Sequence, residues 1–208
     1  MKKRHLAMLL SKLRGFENPK PYLEQYRTPG DVASSLLWLA YTSGDIEGKV
    51  VADFGAGTGV LSIGAKLLGA RKVYAVEIDP EALSVARENA EAVGVDVEFV
   101  LADVSDFGEK VDTVIMNPPF GSQRRHADRP FLLKAFEVGD VVYSIHLSKP
   151  EVRKFIQSFV TEHGFTITNR LTVSFEIPMQ FHFHRKALER IPVDIYRFEK
   201  SLANSTER

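Results

Sequence analysis

Cysteine is absent from this chain of 208 residues. That excludes a disulfide framework, a thiolate zinc site, an iron–sulfur centre and a thiol nucleophile together. An excess of charge of either sign is missing as well. Twenty-seven basic residues face 27 acidic ones, so a uniformly basic coat for nucleic acid is excluded while a local basic patch is not. Long apolar runs are lacking; none approaches the roughly 18 residues of a membrane span. The N-terminus, Met1-Lys2-Lys3-Arg4-His5-Leu6-Ala7-Met8-Leu9-Leu10, imitates a secretion signal, but its apolar run stops at Ser11-Lys12 with no small-x-small cleavage site after it. It reads as a short basic amphipathic helix. The chain is expected to be cytoplasmic, with no membrane partner.

What is present is an apolar fraction of 44% beside 26% charged residues, enough for a real core. At about 100–200 residues per domain the length supports one compact domain with tails. The expected divisions are a basic helix and turn-rich segment at 1–30, the domain proper at 31–200, and a polar, frayed tail at 201–208.

Strand and helix patterns alternate through most of the chain. Val50–Phe54, Lys72–Glu77, Val97–Leu101, Val111–Met116 and Val141–His146 read as strands. Between them, helical spacing runs from an Asp31 N-cap, from Leu61 to Leu68, from an Asp79 N-cap with Pro80 to about Val93, and from Pro130 to Glu137. Ser148-Lys149-Pro150-Glu151 reads as a capping box for a helix reaching Glu162. Phe165–Phe175 and Ile191–Phe198 follow without a comparable helix between them, which predicts an antiparallel pair at one edge. The result is an α/β fold, an open and mostly parallel sheet with helices on both faces. Ligands of such sheets sit outside the carboxyl ends of the strands, where the strand order reverses.

Asp53-Phe54-Gly55-Ala56-Gly57-Thr58-Gly59 joins a strand to a helix at such an end. Its alternate glycines allow a tight turn and bring backbone N–H groups against a ligand. The dinucleotide pattern would need a third glycine where Val60 stands. The Asp53 carboxylate repels phosphate and suits a cationic amino group. Glu77, ending the next strand, can accept from both hydroxyls of a ribose. Asp103 can accept from an adenine amine, and Val104 can cover the ring. With Gly55, Gly57, Thr58 and Val60 shaping the loop, these residues specify a nucleoside with a short zwitterionic tail, S-adenosyl-L-methionine. The plainer alternative is a tight turn, with Glu77 and Asp103 as helix caps.

Asn117-Pro118-Pro119-Phe120 ends the fourth strand. Two prolines fix φ and remove two donors, so the stretch is rigid and presents acceptors only. An exocyclic amine is a poor nucleophile because its lone pair is delocalised into the ring. The Asn117 side-chain oxygen and the Pro118 carbonyl can each accept one N–H, turning the lone pair towards a methyl donor, while Phe120 stacks on the base. Catalysis of this kind is positioning plus electrostatic complementarity. A base within a duplex cannot reach such a pocket, so the target is unpaired or flipped. A glutamine amide carries the same planar nitrogen and stays open as a substrate.

Given these motifs, the chain resembles the methyltransferase-like protein 5 family of small-subunit rRNA adenine-N6 methyltransferases, in its archaeal form. Gly15-Phe16-Glu17, Leu23-Glu24-Gln25-Tyr26, Gly59-Val60-Leu61-Ser62-Ile63-Gly64, Asp112 through Gly121 and Tyr143-Ser144-Ile145-His146 carry the resemblance over nearly the whole chain. It implies the class I Rossmann-like methyltransferase fold with seven strands, and methyl transfer to N6 of an rRNA adenosine. It places Gln25 and Thr28 against the cofactor. It also implies a small zinc-containing activator subunit that pairs with the sheet, and hydrophobic edge strands would suit one. The chain departs from the family at Glu77, where Asp is more usual, and in the loop Ser122 to Arg129.

Two basic clusters beyond the N-terminus suit RNA: Arg124-Arg125-His126, and His182-Phe183-His184-Arg185-Lys186, in which Phe183, His184 and Arg185 interleave an aromatic ring with charge. A solvated face is the plainer reading of the N-terminal cluster. His182 and His184 lack a third ligand nearby, so no metal site is expected; His146 reads as a packed, hydrogen-bonded residue. The competing functions are a protein-glutamine N5 methyltransferase, a DNA methyltransferase, and a non-catalytic RNA-binding or assembly subunit.

Overall fold

β-Branched and aromatic residues dominate Val50–Phe54 (β1), Lys72–Glu77 (β2), Glu98–Leu101 (β3), Val111–Met116 (β4) and Gly139–Leu147 (β5), and all five pair in parallel. A computed structural model describes residues 1–178 and 188–202. The sheet is completed by Phe165–Pro178 (β6) and Leu188–Lys200 (β7) in the order β3-β2-β1-β4-β5-β7-β6. β7 lies antiparallel to both of its neighbours. The expected antiparallel pair therefore lies at one edge of the sheet, with β6 outermost.

Successive side chains of a strand face opposite sides, and the core divides accordingly. On one face Val51, Val73, Ile115, Tyr143, Ile145 and Ile195 meet the helices Lys3–Ser11 (α1), Gly30–Thr42 (α2) and Val60–Leu67 (α3). On the other, Phe54, Val114, Met116, Val142 and Phe198 meet Arg129–Val138 (α5) and Pro150–Glu162 (α6). The fourth helix, Pro80–Val93 (α4), follows β2 and contributes Ala90 to the first layer. α1 is amphipathic as expected: Leu6 and Leu10 are fully buried while Lys3 and Arg4 are exposed. Truncating either leucine to alanine falls in the range of about 2–5 kcal/mol for core positions.

Two expected caps are absent. Pro29 occupies the N-cap of α2 with no side-chain cap bond, and Asp31 lies inside the first turn, where its charge still favours the helix N-terminus. Lys149 occupies the N-cap of α6. The Ser148 hydroxyl instead accepts from Arg153 at 2.9 Å, as that guanidinium reaches over to Asp194 at 2.7 Å. Asp79 does cap α4, accepting the Glu81 N–H at 3.1 Å.

The hydrophobic edges expected for a partner are sparse. Leu101 on β3 and Leu171 on β6 are the large apolar residues exposed on the two edge strands among the described residues. Elsewhere along β6, Thr166, Thr168, Asn169 and Arg170 face solvent. No helix among the described residues is long and apolar enough to cross a membrane.

Candidate active site

Strand order reverses between β1 and β4, and the carboxyl ends of β1, β2 and β4 open there into a cavity of about 610 Å³. Its lining includes, from the sequence-predicted set, Gln25, Thr28, Asp53, Gly55, Gly57, Thr58, Val60, Glu77, Asp103, Val104, Asn117, Pro118 and Pro119, together with Arg124 and Arg125. Residues from six separate stretches of sequence thus meet in one place.

The glycine loop is tight because Gly55, Gly57 and Gly59 all take positive φ, at 69°, 55° and 90°, where a side chain would strain the backbone. Its N–H groups correct one expectation. Those of Gly55 and Ala56 both bond the Val76 carbonyl, that of Gly57 bonds Glu77 at 2.8 Å, and that of Gly59 bonds the Ala56 carbonyl. These four tie the loop to the end of β2 and to itself instead of facing the cavity. A Cβ on Gly57 would come within 2.8 Å of the Phe16 ring, and one on Gly55 within 3.0 Å of Phe131. The buried Asn89 explains how Phe16 arrives there: its amide donates to the Thr58 and Arg14 carbonyls and accepts the Arg14 N–H.

Glu77 is buried, with one oxygen on the Gly57 N–H and the other on the Asp79 N–H at 2.9 Å. Burial raises its pKa against the lowering effect of those backbone bonds. Each oxygen keeps a further lone pair, so the expected ribose contact stays open. Asp103 caps a short 3-10 turn, accepting the Ser105 N–H at 2.9 Å; the capping alternative holds for Asp103, whereas Asp79 and not Glu77 caps α4. Asp53 is fully buried and accepts from Ser62 at 2.5 Å through one oxygen. Burial pushes its carboxyl up to about 7, Ser62 opposing and the charge of Glu77 adding.

Three buried side-chain atoms lack a hydrogen-bond partner among the described residues: Asp53 Oδ1, Asn117 Oδ1 and Arg27 Nε. All three belong to residues of this cavity. A buried polar atom left unpaired costs about 1–3 kcal/mol, so such atoms concentrate where a ligand supplies the missing partner.

The family model described as Methyltransferase small domain matches residues 27–137. The chain belongs to this family. It is 37% identical to rRNA N(6)-adenosine-methyltransferase METTL5 of Danio rerio, over 95% of this chain and 99% of that protein. The crystal structure of PH1948 from Pyrococcus horikoshii superposes with a TM-score of 0.93 at 66% identity, covering 97% of this chain and 99% of that one. Magnesium protoporphyrin IX methyltransferase from Synechocystis, solved with bound S-adenosylmethionine, shares the fold at a TM-score of 0.64 and 21% identity, over 81% of this chain and 78% of that one. The protein is an S-adenosylmethionine-dependent methyltransferase of class I fold.

The cavity of the methyltransferase fits that cofactor by its donor set. The unpaired Asp53 oxygen suits an ammonium group, and the acids at the ends of β2 and β3 suit hydroxyls and an amine. Gln25 is engaged with the protein itself: its amide donates to Asp79 at 2.7 Å and accepts the Lys20 N–H at 2.8 Å. Lys20 completes the cluster on Asp79 at 2.7 Å. Burial pushes the Asp79 carboxyl up, but the bonds from Gln25, Lys20 and the Glu81 N–H outweigh it and hold it below the usual range.

Phe120 departs from its expected place. Its ring is absent from the cavity lining and packs with Tyr26 at 5.8 Å and Phe175 at 5.8 Å. Tyr26 and Phe175 are its two aromatic partners, and all three rings pack with the first core layer. Phe183, His184 and Arg185, with His182 and Lys186, lie outside the described residues, as does most of the 201–208 tail. His146 is buried, 2.7 Å from the Ser144 hydroxyl and 3.5 Å from Asp128, a packed residue as expected. Arg14, from the N-terminal basic cluster, is paired with Glu17 and Glu88.

Sequence reasoning missed Glu24, Arg27, Phe16, Tyr22 and Phe131 as cavity residues. Glu24 and Phe16 stand inside motifs that carry the family resemblance, which is the signal that could have found them. Phe131 carried none, being one apolar residue in a helical pattern.

Proposed function

We propose that the protein transfers a methyl group from S-adenosylmethionine to N6 of an unpaired or flipped adenosine in small-subunit rRNA. The observation that carries this reading is the Asn117 side chain. Its Nδ2 donates to the Thr28 hydroxyl at 3.0 Å, while its Oδ1 is buried, cavity-lining and unpaired. It is an acceptor in want of an N–H, followed in sequence by the Pro118 carbonyl, a second acceptor.

S-adenosylmethionine supplies an electrophilic methyl carbon on a sulfonium centre. Asp53 is placed to hold its ammonium group, Glu77 its ribose, and Asp103 with Val104 its adenine, with Gly55, Gly57, Thr58 and Val60 shaping the floor. Asn117 Oδ1 and the Pro118 carbonyl accept the two N–H bonds of the target amine. They align its lone pair and stabilise the positive charge that develops on nitrogen. Pro119 keeps the acceptor chain stiff. Phe120 reaches the base only by leaving its aromatic cluster; in the packed position it braces the chain that bears Asn117.

Arg124, Arg125, His126 and Arg129 line the same cavity, which gives a nucleic-acid strand phosphate contacts beside the target base. Relatives named rRNA N6-adenosine methyltransferases support rRNA as the substrate. A small zinc-containing activator subunit on the β3 edge accords with the exposure of Leu101 there. A cytoplasmic location accords with an rRNA substrate. Residues 1–30 serve as a cofactor-covering segment on the 31–200 domain.

The test is incubation of purified protein with methyl-labelled cofactor and small-subunit rRNA. The expected outcome is label in the rRNA, recovered as N6-methyladenosine on digestion. Label in protein glutamine with none in RNA would overturn the reading in favour of the amide substrate.

A further inference from the structure

Residues 24–28 touch two parts of the site by turns. The even-numbered side chains face the acceptor segment. Glu24 accepts the N–H groups of Gly121 and Ser122, each at 3.1 Å, and also the Ser122 hydroxyl. The Tyr26 ring packs 5.8 Å from Phe120. Thr28 accepts from Asn117 Nδ2 at 3.0 Å. The odd-numbered side chains, which also line the cavity, bond the body of the protein: Gln25 bonds Asp79 at 2.7 Å, and Arg27 bonds the Leu10 carbonyl of α1 at 2.7 Å. The even contacts run in reverse order along the acceptor chain, 24 against 121–122, 26 against 120, and 28 against 117.

The middle of that acceptor chain has little means of holding itself, since Pro118 and Pro119 have no N–H to bond. The first N–H groups beyond Phe120 are both taken by Glu24. Glu24 itself takes φ 52° and ψ 43°, the left-handed region that a residue with a Cβ enters at a cost. Such strain persists where surrounding contacts over-determine it, and here they are the Glu24 N–H on the Pro21 carbonyl at 2.9 Å and the side-chain bonds to Gly121 and Ser122. At the other end, Thr28 occupies the amide nitrogen of Asn117, which leaves the carboxamide oxygen as the atom facing the cavity.

We propose that Glu24 and Thr28 are positioning residues for methyl transfer, gripping the two ends of the Asn117–Ser122 segment so that the Asn117 oxygen, and not its NH2, meets the acceptor amine. Neither has to touch the reacting atoms. The inference rests on the reading of the acceptor as an amine.

Four variants test it: Glu24→Ala, Glu24→Gln, Thr28→Val and Thr28→Ser. Displacing reacting groups by about 1 Å costs on the order of 10²-fold in rate, so Glu24→Ala and Thr28→Val should each lower kcat by about that factor. Cofactor affinity, measured by calorimetry, should fall far less than kcat does. Thr28→Ser, which keeps the accepting oxygen, should restore turnover, and Glu24→Gln, which keeps one carbonyl oxygen, should fall between. Backbone hydrogen exchange provides a readout without substrate: Gly121 and Ser122 should exchange faster in Glu24→Ala and no faster in Thr28→Ser. Wild-type turnover in Glu24→Ala and Thr28→Val would overturn the proposal, as would unchanged exchange at Gly121 and Ser122. Cofactor affinity falling in step with kcat would overturn it too, by showing that the residues merely shape the cofactor pocket. A wild type inactive on RNA, with the exchange difference present, would sink the rRNA reading and support the grip itself.

Discussion

The two walls of the cavity are built by different means. At the strand ends the cofactor wall is tied together by bonds between near neighbours in sequence: Asp79 to Glu77, Ser62 to Asp53, and Gly57 to Glu77, two, nine and 20 residues apart. Parallel pairing of β1 with β2 brings those positions together, Phe54 opposite Val76. The acceptor wall is held by side chains from residues 89 to 98 positions away, through Thr28 and Glu24. A wall made by strand register is specified by the fold itself. A wall made by distant side chains can be loosened while the fold stays intact, and the two should therefore fail separately.

The largest expected effect is on the acceptor side. Asn117→Ala should lower turnover by about 10²–10³-fold, the range for removing one oriented polar group from a charge-stabilising site. Its calorimetric affinity for S-adenosylmethionine should match the wild type. Equal losses in both would erase the distinction between the walls.

The mirror-image experiment is Gly57→Ala. The left-handed backbone there costs a residue with a Cβ about 1–2 kcal/mol, and the added carbon would meet Phe16 at 2.8 Å. Cofactor affinity should fall and thermal stability with it, while turnover at saturating cofactor is largely kept.

A smaller effect sharpens the electrostatics of the cofactor wall. The Asp53 carboxyl titrates at about 7 in the folded protein, against an ordinary value of 3.8. A cationic ligand group favours the ionised form, so cofactor affinity should rise as pH increases through about 7. For the ligand-free protein the sign reverses. The folded state keeps its proton up to about 7 while the unfolded chain loses it near 3.8, so this residue's contribution to stability is full below 3.8 and is lost as pH rises through 7. Asp53→Asn should flatten both profiles, followed by calorimetry and by thermal melts across pH.

The same division decides what the sequence reveals. The glycine loop, Glu77, Asp103 and Asn117-Pro118-Pro119 announce themselves, because each lies at a strand end whose position alternation and turn residues already fix. The N–H bonds of the glycine loop are less legible, since whether a donor faces a ligand or the neighbouring strand depends on where that strand ends. Asp31 and Ser148 satisfy the residue preferences of caps, yet the helices begin at Gly30 and Pro150; Arg153 competes for the Ser148 hydroxyl, and no local pattern encodes that competition. Phe120 has the chemistry to stack on a base, and only the three-dimensional placement of Tyr26 and Phe175 shows that it has other partners. Glu24 is a further instance: the resemblance motif marks the residue, and its partners appear only once residues 121 and 122 are seen to lie against it.

The position of β7 bears on how the chain is made. Synthesis delivers β6 before β7, yet β7 fills the slot between β5 and β6. As β6 leaves the ribosome it has no finished sheet to join, and β5 shows a bare row of peptide groups on that flank. The last large piece of architecture therefore waits for residues 188–200, and in that interval the nascent protein is most open to pairing with the wrong strand.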